Sequence, residues 1–407
     1  VRKIELLSPA GNLEKLQTVL RYGADAVYLG GKEFNLRAGS QNFADEQLED
    51  VVRYTHGLHK KVYFTLNMLA RNHDILKMPD TIRDLERLGV DAVIVSDLGV
   101  LDLVKTHSDL PVHISTQASV LNFQSVRMYQ RLGAERIILA RELTLEEIAE
   151  IKQCVPEVEL EVFVHGAMCM SYSGRCNISS YLTGRDGNRG ACSNPCRWQY
   201  ALMEEKRPGE YFPVYEDETG SYIYNSRDLC AIEFLDKVID AGVDSLKIEG
   251  RNKGILYGAV TARVYRQAID SYQNGVYPYS PRWREELQTF THRGYTSGFY
   301  LGGLDKGAQS HDGKTHHPYQ LAAKVVREVE PGWYLVHTRN QIRTGMMIDA
   351  VYADRDPQSA VIDAMRDVDA KCATAVVHPN NYVEIKIDLP LSGDDLLRSK
   401  ETSGPSL

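Results

Sequence analysis

Apolar residues in this chain fall into short runs separated by amphipathic stretches, and one phrase repeats. Gly23-Ala24-Asp25-Ala26-Val27-Tyr28-Leu29 has counterparts beginning at Gly89, Gly133 and Gly242, following amphipathic stretches such as 13–22 and 78–88. A glycine fits the left-handed cap of a finished helix, and a short apolar, β-branched run fits a strand buried on both faces. The repeated unit is therefore helix, glycine, strand. Further apolar runs at 4–7, 62–65, 112–114 and 160–164 lie between the copies. The pattern predicts eight strands alternating with helices over about 250 residues, the arithmetic of an α/β fold of the (β/α)₈, TIM-like barrel type. An open doubly wound sheet competes, but no GxGxxG or GxxxxGK[ST] loop follows any strand to cradle a nucleotide.

Chemistry in such a barrel sits where strands end. Those positions carry Asn67, Asp97, Thr116, Gln117, Arg141, Glu142, His165, Glu249 and Arg251, a polar and ionisable ring. The helix after the last strand is expected over 254–272, and Tyr277-Pro278-Tyr279-Ser280-Pro281 reads as a linker. Beyond it the pattern changes to short strands at 322–326, 333–337, 347–351, 373–377 and 383–387, separated by turn signals, which predicts a small β-barrel. The expected organisation is a barrel over 1–275 with a cysteine-bearing insertion at about 166–230. A linker and helical connection at 276–320, the β-barrel at 321–390 and a frayed polar tail at 391–407 complete it.

Composition narrows the picture only slightly. The chain has 407 residues, 43% hydrophobic and 25% charged, which suits an ordinary globular protein with a large core. No apolar run reaches the length of a membrane span, and Val1-Arg2-Lys3-Ile4-Glu5 has no signal-peptide core, so a cytoplasmic location is expected. A net charge of −8 argues against a protein that grips nucleic acid by overall charge. Seven cysteines without an export signal do not suggest a disulfide framework.

Cysteine placement says more than cysteine number. Cys154 and Cys372 stand alone and read as buried thiols, whereas Cys169, Cys176, Cys192 and Cys196 crowd one glycine-rich loop that is far too long for a barrel connection. Thiolates select zinc, copper(I) or an iron–sulfur cluster. The C-x₆-C and C-x₃-C spacings are not the C-x₂-C pairs of zinc ribbons and lean toward a cluster at the barrel mouth. The window 166–203 carries Arg175, Arg185, Arg189 and Arg197 against the single acid Asp186, so it is locally +3. It also holds Tyr172, Tyr181, Trp198 and Tyr200, and arginines beside aromatics suit an unpaired base with its flanking phosphates. In the β-domain, Lys324, Arg327, Arg339 and Arg343 are candidates for a second RNA contact.

Glu161-Val162-Phe163-Val164-His165-Gly166-Ala167-Met168-Cys169, continuing through Gly174-Arg175-Cys176-Asn177-Ile178-Ser179, resembles the signature of peptidase family U32 without gap or mismatch. Leu6-Leu7-Ser8-Pro9-Ala10-Gly11, Tyr224-Asn225-Ser226-Arg227-Asp228-Leu229, Ser245-Leu246-Lys247-Ile248-Glu249-Gly250-Arg251 and His292-Arg293-Gly294-Tyr295-Thr296 extend the resemblance over most of the chain. Arg227 stands where the family pattern has Lys. Within the family the chain is most similar to the tRNA 5-hydroxyuridine synthases. The resemblance implies oxygen-independent hydroxylation of a wobble uridine in the tRNA anticodon loop, with prephenate as co-substrate. It further implies a [4Fe–4S] cluster on Cys169, Cys176, Cys192 and Cys196, with Cys230 competing for the fourth place.

Residue roles follow from side-chain chemistry. Glu249 and Arg251 are candidates for an acid–base group and an anion clamp, and His165 for an acid–base group or cluster neighbour. Asn67 and Gln117 can read a uracil edge, and Arg141 can bind carboxylates of prephenate. The family's older collagenase-like label keeps an endopeptidase in play. HExxH and GxSxG are both absent, but Cys169 follows His165 by four residues. An RNA-binding subunit with a purely structural metal is the third reading.

Overall fold

The computed structural model describes residues 3–31, 34, 43, 45–169, 171–197, 227–275, 279–302 and 318–400, with the backbone of four short strands between 202 and 221. Eight parallel strands form the core: β1 (Glu5–Pro9), β2 (Ala26–Leu29), β3 (Lys61–Leu66), β4 (Ala92–Val95), β5 (Val112–Ile114), β6 (Ala134–Ile138), β7 (Glu159–Ala167) and β8 (Ser245–Ile248). They pair in sequence order, and β8 lies between β7 and β1, with Leu246 opposite both Leu6 and Val162, so the barrel closes. Several strands are only four residues long yet wholly buried, as the apolar runs required.

Local chemistry sets the helix ends. The glycines of the repeated phrase, Gly23, Gly89, Gly133 and Gly242, all have φ between 78° and 114°, which other residues adopt only with strain. Asn12 accepts from the Lys15 amide, and Thr144 forms a capping box with Glu147. Asp97, one of the polar strand-end residues, accepts from the amides of Gly99 and Val100 and is a helix cap. The helix after β8 spans Ile255–Gln273, close to the expected 254–272. Among the described residues, no helix is long and apolar enough to cross a membrane.

The C-terminal domain contains β9 (Tyr319–Glu330), β10 (Trp333–Thr338), β11 (Met347–Val351), β12 (Gln358–Val361), β13 (Ala364–Arg366), β14 (Tyr382–Lys386) and β15 (Leu396–Lys400). Their antiparallel order is β12-β11-β15-β9-β10-β14-β13. The two end strands do not pair, yet only Ile362 and Asp363 separate them in sequence, so the sheet must curl until its ends are neighbours. Of the strand expected over 373–377, only Val376–Val377 forms, against Ile342–Arg343.

The expectation of a frayed tail over 391–407 is corrected for its first part. β15 is an interior strand paired on both sides, with β9 and β11. Leu396 packs against the barrel core and Leu397 against the β-domain core, while Arg398 is buried on Glu286 at 2.9 and 3.1 Å. A short strand whose polar residues form buried pairs looks like a solvated tail in sequence. Residues 401–407 lie outside the described residues, as do 276–278 and 303–317 of the expected connection. The two domains also meet through the Tyr22 hydroxyl, which donates to the Val351 carbonyl at 2.6 Å, and the Arg21–Asp395 pair at 2.8 Å. The isolated thiols are less buried than expected: Cys154 is half-buried and Cys372 is exposed.

Candidate active site

A cavity of about 190 Å³ opens at the C-terminal ends of the barrel strands. Lys247, Phe163 and Tyr28 line it from the strands, with Asn67, Ser115, Gln117, Arg141, Glu249 and Arg251 at or just beyond the strand ends. The roof comes from the long loop after β7, which brings Cys169, Cys176, Cys192 and Cys196 to the same cavity. This end of the barrel supplies the site because each strand there gives way to a loop whose side chains face a shared opening.

The cysteine loop is held by specific bonds. Glu142, at the end of β6, accepts from the Ser173 amide at 2.7 Å and from its hydroxyl at 3.1 Å. Arg189 reaches Asp74 and the Leu69 carbonyl, and the Leu69 amide donates to the Asn188 carbonyl. The Ile178 amide points at the Cys176 sulfur and the Asn194 amide at the Cys192 sulfur, both at 3.4 Å. Four sulfurs on one loop are a donor set that suits a soft, sulfur-ligated centre. Among the described residues, no three His, Cys, Asp or Glu side chains gather closely enough to form a single-ion site. Cys230 lies elsewhere: it is buried beneath Tyr265, where burial raises its thiol above the ordinary range.

Asn67 and Gln117 meet, with the Asn67 amide nitrogen donating to the Gln117 oxygen at 3.0 Å. This orientation leaves the buried Asn67 side-chain oxygen without a hydrogen-bond partner among the described residues, in a side chain that lines the cavity. Arg141 donates to the Ala167 carbonyl at 2.9 Å and lies over the Phe163 ring. Arg251 is buried and reaches Thr65 at 3.4 Å.

His165 departs from expectation. Between Phe163 and His165, β7 bulges against Lys247 and Ile248, so the inward–outward alternation shifts by one residue. Phe163 faces the cavity, whereas His165 turns outward into a cage of Tyr257, Tyr265, Phe290 and Tyr295. Its Nε2 has no partner among the described residues, and burial lowers its pKa to about 3. It is a neutral core histidine, and it forms no dyad with Cys169. Gly166 follows the bulge at φ 112°, where a Cβ would lie 2.5 Å from the Glu249 carbonyl oxygen.

Sequence reasoning missed a charged residue of the cavity lining. Lys247 is 3% exposed, pairs with Glu161 at 2.7 Å and lies 4.5 Å from the Tyr28 ring centroid. Burial pushes its ammonium below the ordinary range, and Glu161 opposes that shift. Beneath, Arg136 joins Glu161, Glu159 and Glu5. The signal was present: charged residues occupied inward positions of otherwise apolar strands.

Several basic residues proposed to meet RNA are paired with acids of the protein itself. Arg189 holds Asp74, Arg339 holds Glu14, and Lys324 holds Asp394 at 2.8 Å. Arg175, Arg185, Arg327 and Arg343 are exposed, as are Tyr172 and Tyr181. Trp198 and Tyr200 lie outside the described residues.

Comparison with known proteins agrees with both modules. Residues 11–310 match the model of peptidase family U32, and residues 317–398 match that of the peptidase family U32 C-terminal domain. The chain is 42% identical over 340 residues to tRNA hydroxylation protein P of Escherichia coli (strain K12), covering 73% of this chain and 74% of that protein. It is 34% identical over 406 residues to tRNA hydroxylation protein P1 of Bacillus subtilis (strain 168), covering 98% and 95%. A protein named Collagenase from Porphyromonas gingivalis (strain ATCC BAA-308 / W83) is 35% identical over 315 residues, covering 74% of each chain. With both modules matched in order along its length, the chain belongs to peptidase family U32.

Proposed function

We propose that the protein is a tRNA-modifying enzyme of the cytoplasm that hydroxylates a wobble uridine to 5-hydroxyuridine without dioxygen, using prephenate and a [4Fe–4S] cluster. The observation that carries this reading is the meeting of four cysteines, two amides and two arginines around one cavity. Its likeness to proteins named for tRNA hydroxylation supports the substrate class. In this reading Cys169, Cys176, Cys192 and Cys196 hold the cluster, which supplies one-electron redox chemistry when bound.

The chain's own residues then act as follows. The Asn67 and Gln117 side chains, which line the cavity, read the N3–H and a neighbouring carbonyl of an extruded uracil. Arg141 and Arg251 clamp the carboxylates of the co-substrate, with Lys247 adding positive charge. Glu249, at the end of β8, lines the cavity and is the candidate general base beside the uracil ring. The endopeptidase reading lacks its histidine, because His165 sits in the aromatic cage outside the cavity.

The test is purification without oxygen, iron and sulfide assay, and nucleoside analysis of tRNA from a deletion strain complemented with the gene. About four irons per chain and restored 5-hydroxyuridine are expected. A colourless protein holding one zinc would remove the cluster. Cleavage of a defined peptide at enzymatic rates, abolished by Cys169→Ala, would favour the peptidase.

A further inference from the structure

We propose that the outer face of the C-terminal sheet carries a stacking platform for an unpaired base of the RNA substrate, built on His337 and Tyr382. The proposal rests on the RNA reading above and extends it to a surface outside the cavity. His337 in β10 and Tyr382 in β14 are direct cross-strand partners, with ring centroids 4.6 Å apart and planes inclined by 16°. Tyr382 is 58% exposed. Packing does not require this pair, because the alternating positions Tyr334, Val336, Val383 and Ile385 already fill the core face of the same strands. The stacked rings therefore stand on the solvent side and present an aromatic face.

The surrounding charge identifies the ligand. Arg327 is the register partner of Leu335 and Lys386 that of Trp333, so these cations share the platform's face, while Lys324, the partner of His337, is taken up by Asp394. Arg366 lies 4.1 Å from the Trp333 ring centroid and makes a second flat surface. The acids on this face are neutralised: Glu384 is buried between Arg366 and Lys371, and Glu330 pairs with Arg366. Arg327 and Lys386 are exposed and have no acid partner among the described residues. Stacked rings flanked by uncompensated cations fit a polyanion with π-faced units, which is single-stranded RNA.

The platform also lies toward the correct end of the barrel. Glu14, in the first turn of the helix after β1, binds Arg339 and lies 4.0 Å from Lys324. Next to it, Lys15 donates to the carbonyl of Arg251, whose side chain lines the cavity. Contacts through Glu14 and Lys15 thus link the cavity rim to the strand paired with His337, and the proposal places one base in the cavity and a neighbour on Tyr382.

The test uses the anaerobically purified full chain and a fluorescently labelled stem–loop RNA with an unpaired uridine-containing loop. Tyr382→Ala is expected to weaken binding by about fivefold or more, with Tyr382→Phe close to wild type. Arg327→Ala should lower the slope of log affinity against log salt by about one charge, while Tyr382→Ala leaves that slope unchanged. This pairing separates stacking from a general loss of fold, which an unchanged melting temperature for Tyr382→Ala also checks. Wild-type binding matched by Tyr382→Ala would overturn the platform and leave the RNA reading standing. Failure of the wild type to bind any RNA would overturn both.

Discussion

Arg189 grips Asp74 through both guanidinium nitrogens, at 2.6 and 3.1 Å, and so ties the cysteine loop to the segment after β3. The hydrogen bond from Arg189 is the main reason the Asp74 carboxyl is lowered to about 2. Because the folded value lies below the unfolded one, this anchor contributes fully above about pH 4 and is lost as pH falls toward 2. Arg189→Ala should cost about 1–3 kcal/mol and sensitise residues 171–197 to protease, flattening that acid limb. Urea melts between pH 2 and 6, with proteolysis at neutral pH, check it. Unchanged cleavage would mean the loop is held by Glu142 alone.

Lys247 and Glu161 form a buried pair in which Glu161 also contacts Arg136 at 3.1 Å. Lys247→Met should destabilise by about 3–5 kcal/mol, because it takes one cation from a buried carboxylate. The double variant with Glu161→Gln should recover part of that loss. A coupling energy near zero in the double-mutant cycle would show that the two side chains act independently. Lys247→Met should also abolish turnover, since Lys247 lines the cavity.

The outward turn of His165 makes a separable prediction. Its folded pKa of about 3 lies below the ordinary histidine value, so the unfolded chain binds more protons between roughly pH 3 and 6.5. His165 therefore removes stability as pH falls through that window. His165→Phe keeps the aromatic cage filled and should reduce this acid sensitivity, with turnover within a few-fold of wild type. A folded His165→Phe protein with a hundredfold lower rate would return the histidine to the chemistry.

Cys196 and Cys230 compete in sequence for the same role, but only Cys196 lines the cavity, and Cys230 is buried under Tyr265. Cys196→Ser should lose iron and sulfide on anaerobic purification. Cys230→Ala should retain them, with a modest fall in melting temperature. The opposite pattern would reassign the fourth ligand.

The barrel was legible because its strands are buried on both faces, which forces continuous apolar runs, and because four helix ends need a glycine at positive φ. The ring at strand ends was legible for the same reason, and Asn67, Gln117, Arg141, Glu249 and Arg251 do share one cavity. Lys247 and Glu161 were overlooked because a charged residue inside a strand looks like an exposed position until its partner is known. β15 was read as a tail because Arg398 and Ser399, both buried, look solvated in isolation.

Composition and periodicity alone thus determined the eight-strand repeat, the change to short strands after the barrel, and the crowding of four cysteines on one loop. These depend on local burial and backbone preference, which neighbouring residues declare. The tertiary structure decided which polar groups face the cavity and which face each other. A one-residue bulge between Phe163 and His165 moved His165 to the outside, and pairs over a hundred residues apart, Arg189–Asp74 and Arg339–Glu14, engaged cations that looked free. Facing direction depends on register, and pairing depends on distance through space, so neither can be read from spacing along the chain.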